Sequence, residues 1–367
     1  MNKVKKNKIT YITNPLRIKR VNNNNYSKEF LYFYHKLNSE TWDKKIIELN
    51  DNYKKSILYV IEKFLIKFLN IPFYSHKLNL SVNFKTIFKS NYLILTNETM
   101  AYSIYLPFFL ISKKNKPKIF LFVMGFFEPK KNKNIIKNIV NKRILNYVDR
   151  FLFLSRNEYK YALLKYPQFK EKFIYFGFSI DYKFWNITEV NKKNDLPILF
   201  NGNDLNRNYE LMVEIIEKMQ DQKFIIVSNK INNLSFKNVE VFSTSIKQDL
   251  LTDTDLKNLY SKTKFSLIPL IETLQPSGQS VALQSICTNN IVFITPTKGF
   301  WEYQTFINNK NIVFVEGGLN KWVSSIRKYN IESKESASII YEAKEIVKEK
   351  YDIEQKYQEF LTILEES

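Results

Sequence analysis

An arginine and two glycines set the chemical question for this chain. Residues 198–219 read ILFNGNDLNRNYELMVEIIEKM. A strand ends at Gly202, a polar loop containing Asn203 follows, and Arg207 stands just ahead of a helix that begins near Tyr209. Glycine lets a bulky ligand approach the backbone. A helix N-terminus offers unpaired N–H groups and a partial positive charge. Arginine adds permanent, planar donors that match phosphate oxygens. Together these suit a diphosphate, although a capped helix with a surface arginine would use the same residues. The second stretch is FSLIPLIETLQPSGQSVALQSICTNNIVFITPTKGFWE, residues 265–302. A strand runs into Pro276, Ser277, Gly278, Gln279 and Ser280, and a helix follows with Val281, Leu283, Gln284 and Ile286. That loop again turns backbone amides toward an anion. Gln284 has the donors and acceptors to bind ribose hydroxyls, and equally those of an ordinary surface polar residue.

Those two loops need elements that hold them. Apolar, β-rich runs predict strands at Ile9–Ile12, Tyr92–Thr96, Lys118–Val123, Arg150–Leu154 and Lys172–Tyr175 in the first half. They recur at Ile198–Asn201, Lys223–Val227, Val239–Phe242, Phe265–Pro269, Ile291–Thr295 and Ile312–Val315 in the second. Helical spacing appears between many of them, as in Tyr209–Met219 with Leu211, Ile215, Ile216 and Met219. Alternating strands and helices predict parallel sheets with right-handed crossovers. The polar stretch Asn186–Leu196 marks a domain boundary. The tail Ser333–Ser367 reads as one long helical pattern. Two further segments, Tyr53–Leu69 and Asn134–Val148, are amphipathic and lysine-rich. They suit either core-facing helices or docking on an anionic membrane surface.

Composition narrows the classes. At 367 residues the chain exceeds the size at which one hydrophobic core stops growing, so two domains are expected. Only seven glycines occur, where average use of roughly 7% would give about 26. Glycine is then kept mainly where geometry demands it. The net charge of +20 has two competing readings, attraction to anionic surfaces or a compositional bias toward Lys, Asn and Ile. The lysines are spread along the whole chain, which argues against a nucleic-acid stripe. One cysteine, Cys287, and two distant histidines, His35 and His76, exclude a disulfide framework and a His/Cys metal centre. The pair Asp253 and Asp255 precedes a helix and reads as capping rather than metal binding. Lys230 and Lys298 follow other strand ends and read as surface lysines. No GxxxxGK[ST] or GxGxxG run is present. The N-terminus lacks a signal-peptide pattern, and no apolar run is long enough to span a bilayer.

The two loop stretches together resemble family 4 glycosyltransferases, which are retaining enzymes of the GT-B type. That family carries two glutamates separated by seven residues around its phosphate loop. Aligned on LQSICTNNIVFIT, Gln284 falls at the second glutamate, Pro276 at the first, and Ser277, Gly278 and Gln279 on the loop. The chain therefore looks like a variant branch with PSGQS…LQ in place of the glutamate pair. Glu272, four residues before Pro276, is the substitute carboxylate. Arg207 is similar to the basic residue that relatives aim at the donor diphosphate, while Asn203 stands where they carry an arginine after the glycine. Ser179, Ile180, Asp181, Phe184 and Trp185 resemble the signature ahead of the inter-domain linker.

The resemblance implies an α/β chain of two Rossmann-like domains facing each other across a cleft, with a C-terminal helix crossing back. The expected divisions are an acceptor domain at 1–186, a donor domain at 187–345 and the returning helix at 346–367. The implied activity is sugar transfer from a nucleotide-diphosphate sugar to a glycan or lipid-linked acceptor, with retention, in surface polysaccharide synthesis. Arg207 and the loop amides would stabilise the departing diphosphate, and no cofactor or metal is expected. Arg207 and Glu272 are the catalytic candidates. Gly202, Asn203, Arg207, Ser277, Gly278, Gln279, Ser280 and Gln284 are the donor-binding ones, and Gly125 in VMGFFE, with Glu128 nearby, is the acceptor-side candidate. The missing glutamates leave a competing reading, a GT-B-like protein that binds nucleotide sugar without transferring it. The expected placement is cytoplasmic, with peripheral contact on the inner face of the cytoplasmic membrane and no nucleic-acid partner.

Overall fold

Strands such as KIFLFV and IVFI are apolar on both sides, which suits parallel sheets covered on both faces. The computed structural model describes residues 6–50, 57–69, 71–109, 116–128, 135–188, 192–231, 236–243 and 251–366. Two units emerge. One takes Met1–Asn23, Phe30–Gly177 and Phe360–Ser367; the other takes Asn24–Glu29 and Phe178–Glu359.

The first unit is built on strands β1 (Asn7–Thr13), β2 (Trp42–Glu48), β3 (Tyr92–Leu95), β4 (Lys118–Val123), β5 (Arg150–Phe153) and β6 (Phe173–Tyr175). They form one six-stranded sheet in the order β2-β1-β3-β4-β5-β6, and each neighbouring pair is parallel. Its helices are α1 (Arg17–Val21), α2 (Ile57–Leu69), α3 (Leu80–Lys89), α4 (Glu98–Phe109), α5 (Ile135–Tyr147) and α6 (Arg156–Lys165). Period-two alternation sends Leu93, Leu121 and Phe151 into a core shared with Val140 and Ile144 of α5, with Leu65 of α2 and Phe88 of α3 packed against it. The opposite face carries Phe122, which packs against Tyr32 and against Phe360 of the C-terminal helix. Strand β2 was not expected from sequence. It is an edge strand, and WDKKIIE alternates charged and apolar residues too weakly to announce itself.

The second unit begins with α7 (Tyr182–Trp185) and continues through β7 (Ile198–Asn201), α8 (Tyr209–Lys218), β8 (Phe224–Val227), β9 (Val239–Phe242) and α9 (Asp253–Ser261). Then come β10 (Phe265–Ile268), α10 (Gln279–Cys287), β11 (Ile291–Ile294), β12 (Val313–Phe314), α11 (Leu319–Lys328), α12 (Lys334–Tyr351) and α13 (Ile353–Glu365). The sheet order is β12-β11-β10-β7-β8-β9, again all parallel. The order reverses between β7 and β10. In open α/β sheets that reversal opens a crevice at the carboxyl ends of the two strands, where ligands bind. The expected single tail helix is in fact two. Ile180 donates to the Tyr351 carbonyl at 2.7 Å and accepts from the Ile353 amide at 2.9 Å, and this backbone pairing breaks the helix at Asp352.

A chain poor in glycine needs another way to end its helices, and lysine supplies it. Lys172 Nζ donates to the carbonyls of Leu145, Asn146 and Val148 at the end of α5. Lys192 does the same for α9, donating to the carbonyls of Tyr260, Ser261 and Thr263 at 2.6–3.0 Å and to Asn290 Oδ1 at 3.1 Å. A cation at a helix C-terminus satisfies orphan carbonyls and opposes the negative end of the dipole. Burial, with Lys344 nearby, lowers the Lys192 pKa to about 7, and Lys192→Met leaves those carbonyls without their donor. The expected loss is about 2 kcal/mol in the urea unfolding transition of the second unit. A variant that unfolds with the wild-type midpoint removes the capping role.

Candidate functional site

The loop after β7 crosses the switch point and is pinned there by backbone. Arg207 pairs with Leu270 in an antiparallel bridge, the Asn208 amide donates to the Pro269 carbonyl at 2.9 Å, and the Ile271 amide donates to the Asn206 carbonyl at 2.9 Å. Asn206 Nδ2 then donates to Gln275 Oε1 at 3.0 Å and to Ser277 Oγ at 2.7 Å. The loop after β7 and the loop ahead of α10 are therefore one tied structure.

Arg207 lies at its centre and is only 5% exposed. Two glycines make the room. A Cβ on Gly202 would stand 2.4 Å from Arg207 Nε. A Cβ on Gly278 would stand 3.3 Å from Arg207 Nη1 and 2.6 Å from Ile268 Cγ2, and Gly278 also has φ +79°, a left-handed conformation that side chains disfavour. Among the described residues, Arg207 Nε and Nη1 find no hydrogen-bond acceptor. Asp204 Oδ2 stands 3.3 Å from Nη1, close enough to pair charges but not aligned as a hydrogen bond. Burial lowers the guanidinium pKa, and Asp204 partly offsets that. Helix α10 starts at Gly278 with no side-chain cap and no acid in its first turn. A buried cation with unmatched donors thus lies beside an uncapped helix N-terminus, at the carboxyl ends of β7 and β10. That arrangement calls for an oxyanion.

The sequence-predicted residues divide at this point. Gly202, Arg207 and Gly278 come together directly, and Ser277 is tied to the same loop through Asn206. Gln279 and Ser280 open α10, with Gln279 buried and Ser280 half-buried. Asn203 turns to the neighbouring loop, where its Oδ1 accepts from the Asn229 amide at 2.7 Å and from Ser228 Oγ at 3.3 Å. Glu272 is exposed, and its Oε1 accepts from the Lys298 amide at 2.9 Å. Asp255 completes a capping box with Thr252, and Asp253 accepts from the amide and hydroxyl of Ser27.

Gln284 is buried and engaged within the protein. Tyr260 donates its hydroxyl to Gln284 Oε1 at 3.3 Å, and Asn201 Nδ2 donates to the same hydroxyl at 2.9 Å. Gln284 Nε2 donates to Glu29 Oε1 at 3.2 Å, and Trp185 Nε1 donates to that oxygen at 2.9 Å. Glu29 is a residue that sequence reasoning missed. It arrives on the segment Asn24–Glu29, which the chain lends to the second unit. It is fully buried, and its Oε2 has no partner among the described residues. Burial, with Asp253 and Asp181 nearby, pushes its pKa up to about 7. No local pattern signals a partner 255 positions away.

In the first unit, the loop after β4 has a similar carboxylate clamp. Gly125 has φ +116°, and its amide donates to Glu158 Oε2 at 3.0 Å, while the Phe127 amide donates to Oε1 at 3.0 Å. Glu158 is presented by the first turn of α6, which Ser155 caps. Burial raises its pKa to about 8 against the pull of those amides. Glu158 was not singled out from sequence, although S-x-x-E ahead of a helix is visible there.

Both carboxyls have folded pKa values above the ordinary 4.5. Their contribution to stability is fully present below that value and is lost as pH rises through about 7 for Glu29 and about 8 for Glu158. Glu29→Gln removes one of these terms. Its melting temperature relative to wild type should therefore rise between about pH 5 and about pH 8, read by scanning calorimetry. A difference that stays constant over that range would show that Glu29 does not titrate there.

No family model matches this chain. An alignment of 152 positions that covers 38% of the chain is 28% identical to the RecB subunit of the RecBCD enzyme of Buchnera aphidicola. The chain spans 13% of that subunit. Solved structures match over nearly the whole length. A glycosyltransferase from Rickettsia africae aligns at a TM-score of 0.65 with 15% identity, covering 99% of each chain. HepE of Anabaena, solved in complex with UDP, aligns at 0.68 with 10% identity, over 98% of this chain and 100% of that one. Sucrose-phosphate synthase of Thermosynechococcus elongatus aligns at 0.67 with 11% identity, over 98% and 99%. Identities this low establish architecture alone, and with two six-stranded parallel sheets the chain has the GT-B fold.

Proposed function

We propose that this chain transfers a glycosyl unit from a nucleotide-diphosphate sugar to a glycan or lipid-linked acceptor. The observation that carries the reading is Arg207, buried at the switch point with Nε and Nη1 unpartnered beside the N-terminus of α10. HepE has been solved with UDP and with UDP-glucose, so the fold accommodates such donors elsewhere. When the sugar leaves, the bond from the anomeric carbon to the phosphate oxygen breaks and a bond to the acceptor oxygen forms. The acceptor proton departs with the diphosphate. Negative charge grows on the leaving group, and the Arg207 guanidinium with the α10 amides is aimed where it grows. In this reading the charge is carried by the protein without a metal. Retention, a role in surface polysaccharide synthesis, and a cytoplasmic enzyme working at the membrane face are the finer parts of the same proposal.

One observation favours a second reading. Pro276 and Gln284 stand where the family resemblance places glutamates, and Gln284 is engaged by Tyr260 and Glu29. A protein that binds the donor without transferring it would look the same. Turnover with a panel of nucleotide sugars separates the two, since tight nucleotide binding without transfer or hydrolysis selects the second.

Arg207→Ala should lower kcat by about 10²-fold or more and weaken the thermal shift produced by nucleoside diphosphates. Gly202→Ala keeps the arginine but places a methyl against its Nε, so it should show the same loss. Wild-type nucleotide binding and turnover in both variants would sink the donor-site assignment.

A further inference from the structure

Most of the exposed large apolar side chains of the first unit stand on three helices. On α2 they are Val60, Ile61, Phe64 and Phe68, with Phe64 59% and Phe68 61% exposed. On α5 they are Ile135, Ile136 and Ile139, with Ile135 74% exposed. Val82 and Phe84 add to the set from α3. The three helices pack their inner sides on one core cluster against one face of the first sheet, so these residues lie on the outer surface of a single helical layer. Scattered apolar residues on a surface need no explanation, but a concentration of this kind marks an interaction face.

The charges on the layer choose the partner. Lys63, Lys67, Lys85, Lys89, Lys142 and Arg143 are exposed on the same three helices. The one acid in these helices is Glu62, which is fully buried and bonded to the Ser75 and His76 amides. Lys63 Nζ lies 5.6 Å from the Tyr59 ring centroid and Lys67 Nζ 5.7 Å from that of Phe68, so the stems run along the aromatic surface. A second copy seated on this face would set lysines against lysines, which costs rather than gains. A surface of apolar side chains ringed by cations, with no exposed acid, fits the headgroup region of an anionic bilayer. No helix among the described residues is long and apolar enough to cross a membrane, so the contact is peripheral.

We infer that the outer face of α2, α3 and α5 docks on anionic lipid, with Phe64, Phe68 and the Ile135–Ile139 turn entering the interface. The inference rests on the membrane-face part of the proposed function, but not on its transfer step, since it concerns residues outside the donor loops and needs no turnover. The test uses the full chain and vesicles of phosphatidylcholine with and without phosphatidylglycerol. Flotation should recover the protein with phosphatidylglycerol vesicles and not with phosphatidylcholine alone. Phe64→Asp with Phe68→Asp should cut that recovery at least about tenfold, since charge at the interface opposes insertion. Lys63→Gln with Lys67→Gln should lower it about threefold or more, by removing attraction to anionic lipid. Both pairs are exposed, and an unchanged melting temperature shows that the fold is intact. Phe64→Trp should shift its emission to the blue with phosphatidylglycerol vesicles and not with a DNA duplex. Equal recovery on both vesicle types, wild-type recovery of the aspartate pair, an equal shift with DNA, or a concentration-dependent dimer with no vesicle binding would each overturn the inference.

Discussion

The second unit is organised around one unsatisfied charge. Desolvating a cation costs several kcal/mol even after relaxation, and a cation left without full hydrogen bonding does not recover that cost. Arg207 is in that state, with Asp204 as its only ion-pair partner and Nε and Nη1 unmatched among the described residues. What keeps it buried is the backbone. The bridge to Leu270 fixes the residue, and Gly202 and Gly278 leave a slot that any side chain would close. Each of these features sits where the strand order reverses between β7 and β10, the point at which open α/β sheets place their ligands. The cost in stability is intelligible if an anion completes the shell, as active sites commonly hold strain that a ligand relieves.

The composition explains how such a site is supported with few glycines. Helix C-termini usually rely on a left-handed glycine. In this chain lysine side chains reach across to close α5 and α9, and Lys344 likewise donates to the Ile187 carbonyl and Asn289 Oδ1, both at 2.7 Å. Part of the +20 net charge is therefore structural and faces inward to carbonyl oxygens. The exposed remainder is what an anionic surface would meet. Asn289 and Asn309 take the left-handed turns that a richer sequence would give to glycine.

What could be read from sequence follows from range. Strands β4, β7 and β9 show in the sequence with their observed bounds, because a run such as KIFLFV has no polar face to blur it. The two loops that meet at Arg207 stand out in the sequence because each places a glycine shortly ahead of a helix, and the first adds an arginine. The edge strand β2 was not, since half its residues are charged, and neither was the break at Asp352, which depends on Ile180 from the far side of the unit. Glu29 was the least legible. Nothing in NYSKEF announces a carboxylate that will end beside Trp185 and Gln284.

That hidden carboxylate bears on why a glutamine stands at position 284. The family resemblance places a glutamate there. With Glu29 Oε1 3.2 Å from Gln284 Nε2, a glutamate would set two carboxylates in contact inside a buried cluster. Like charges at that range cannot both ionise, and Glu29 is already pushed up to about 7. Glutamine resolves the conflict by donating to Glu29 while accepting from Tyr260. The pair thus holds one carboxylate, contributed by a segment from the N-terminal part of the chain. Gln284→Glu alone should then destabilise the second unit by about 3 kcal/mol at neutral pH. Adding Glu29→Gln should restore most of that loss, a coupling that a double-mutant cycle on urea unfolding reads directly. If the two substitutions simply add, Gln284 and Glu29 are neighbours without being partners, and the glutamine needs another explanation.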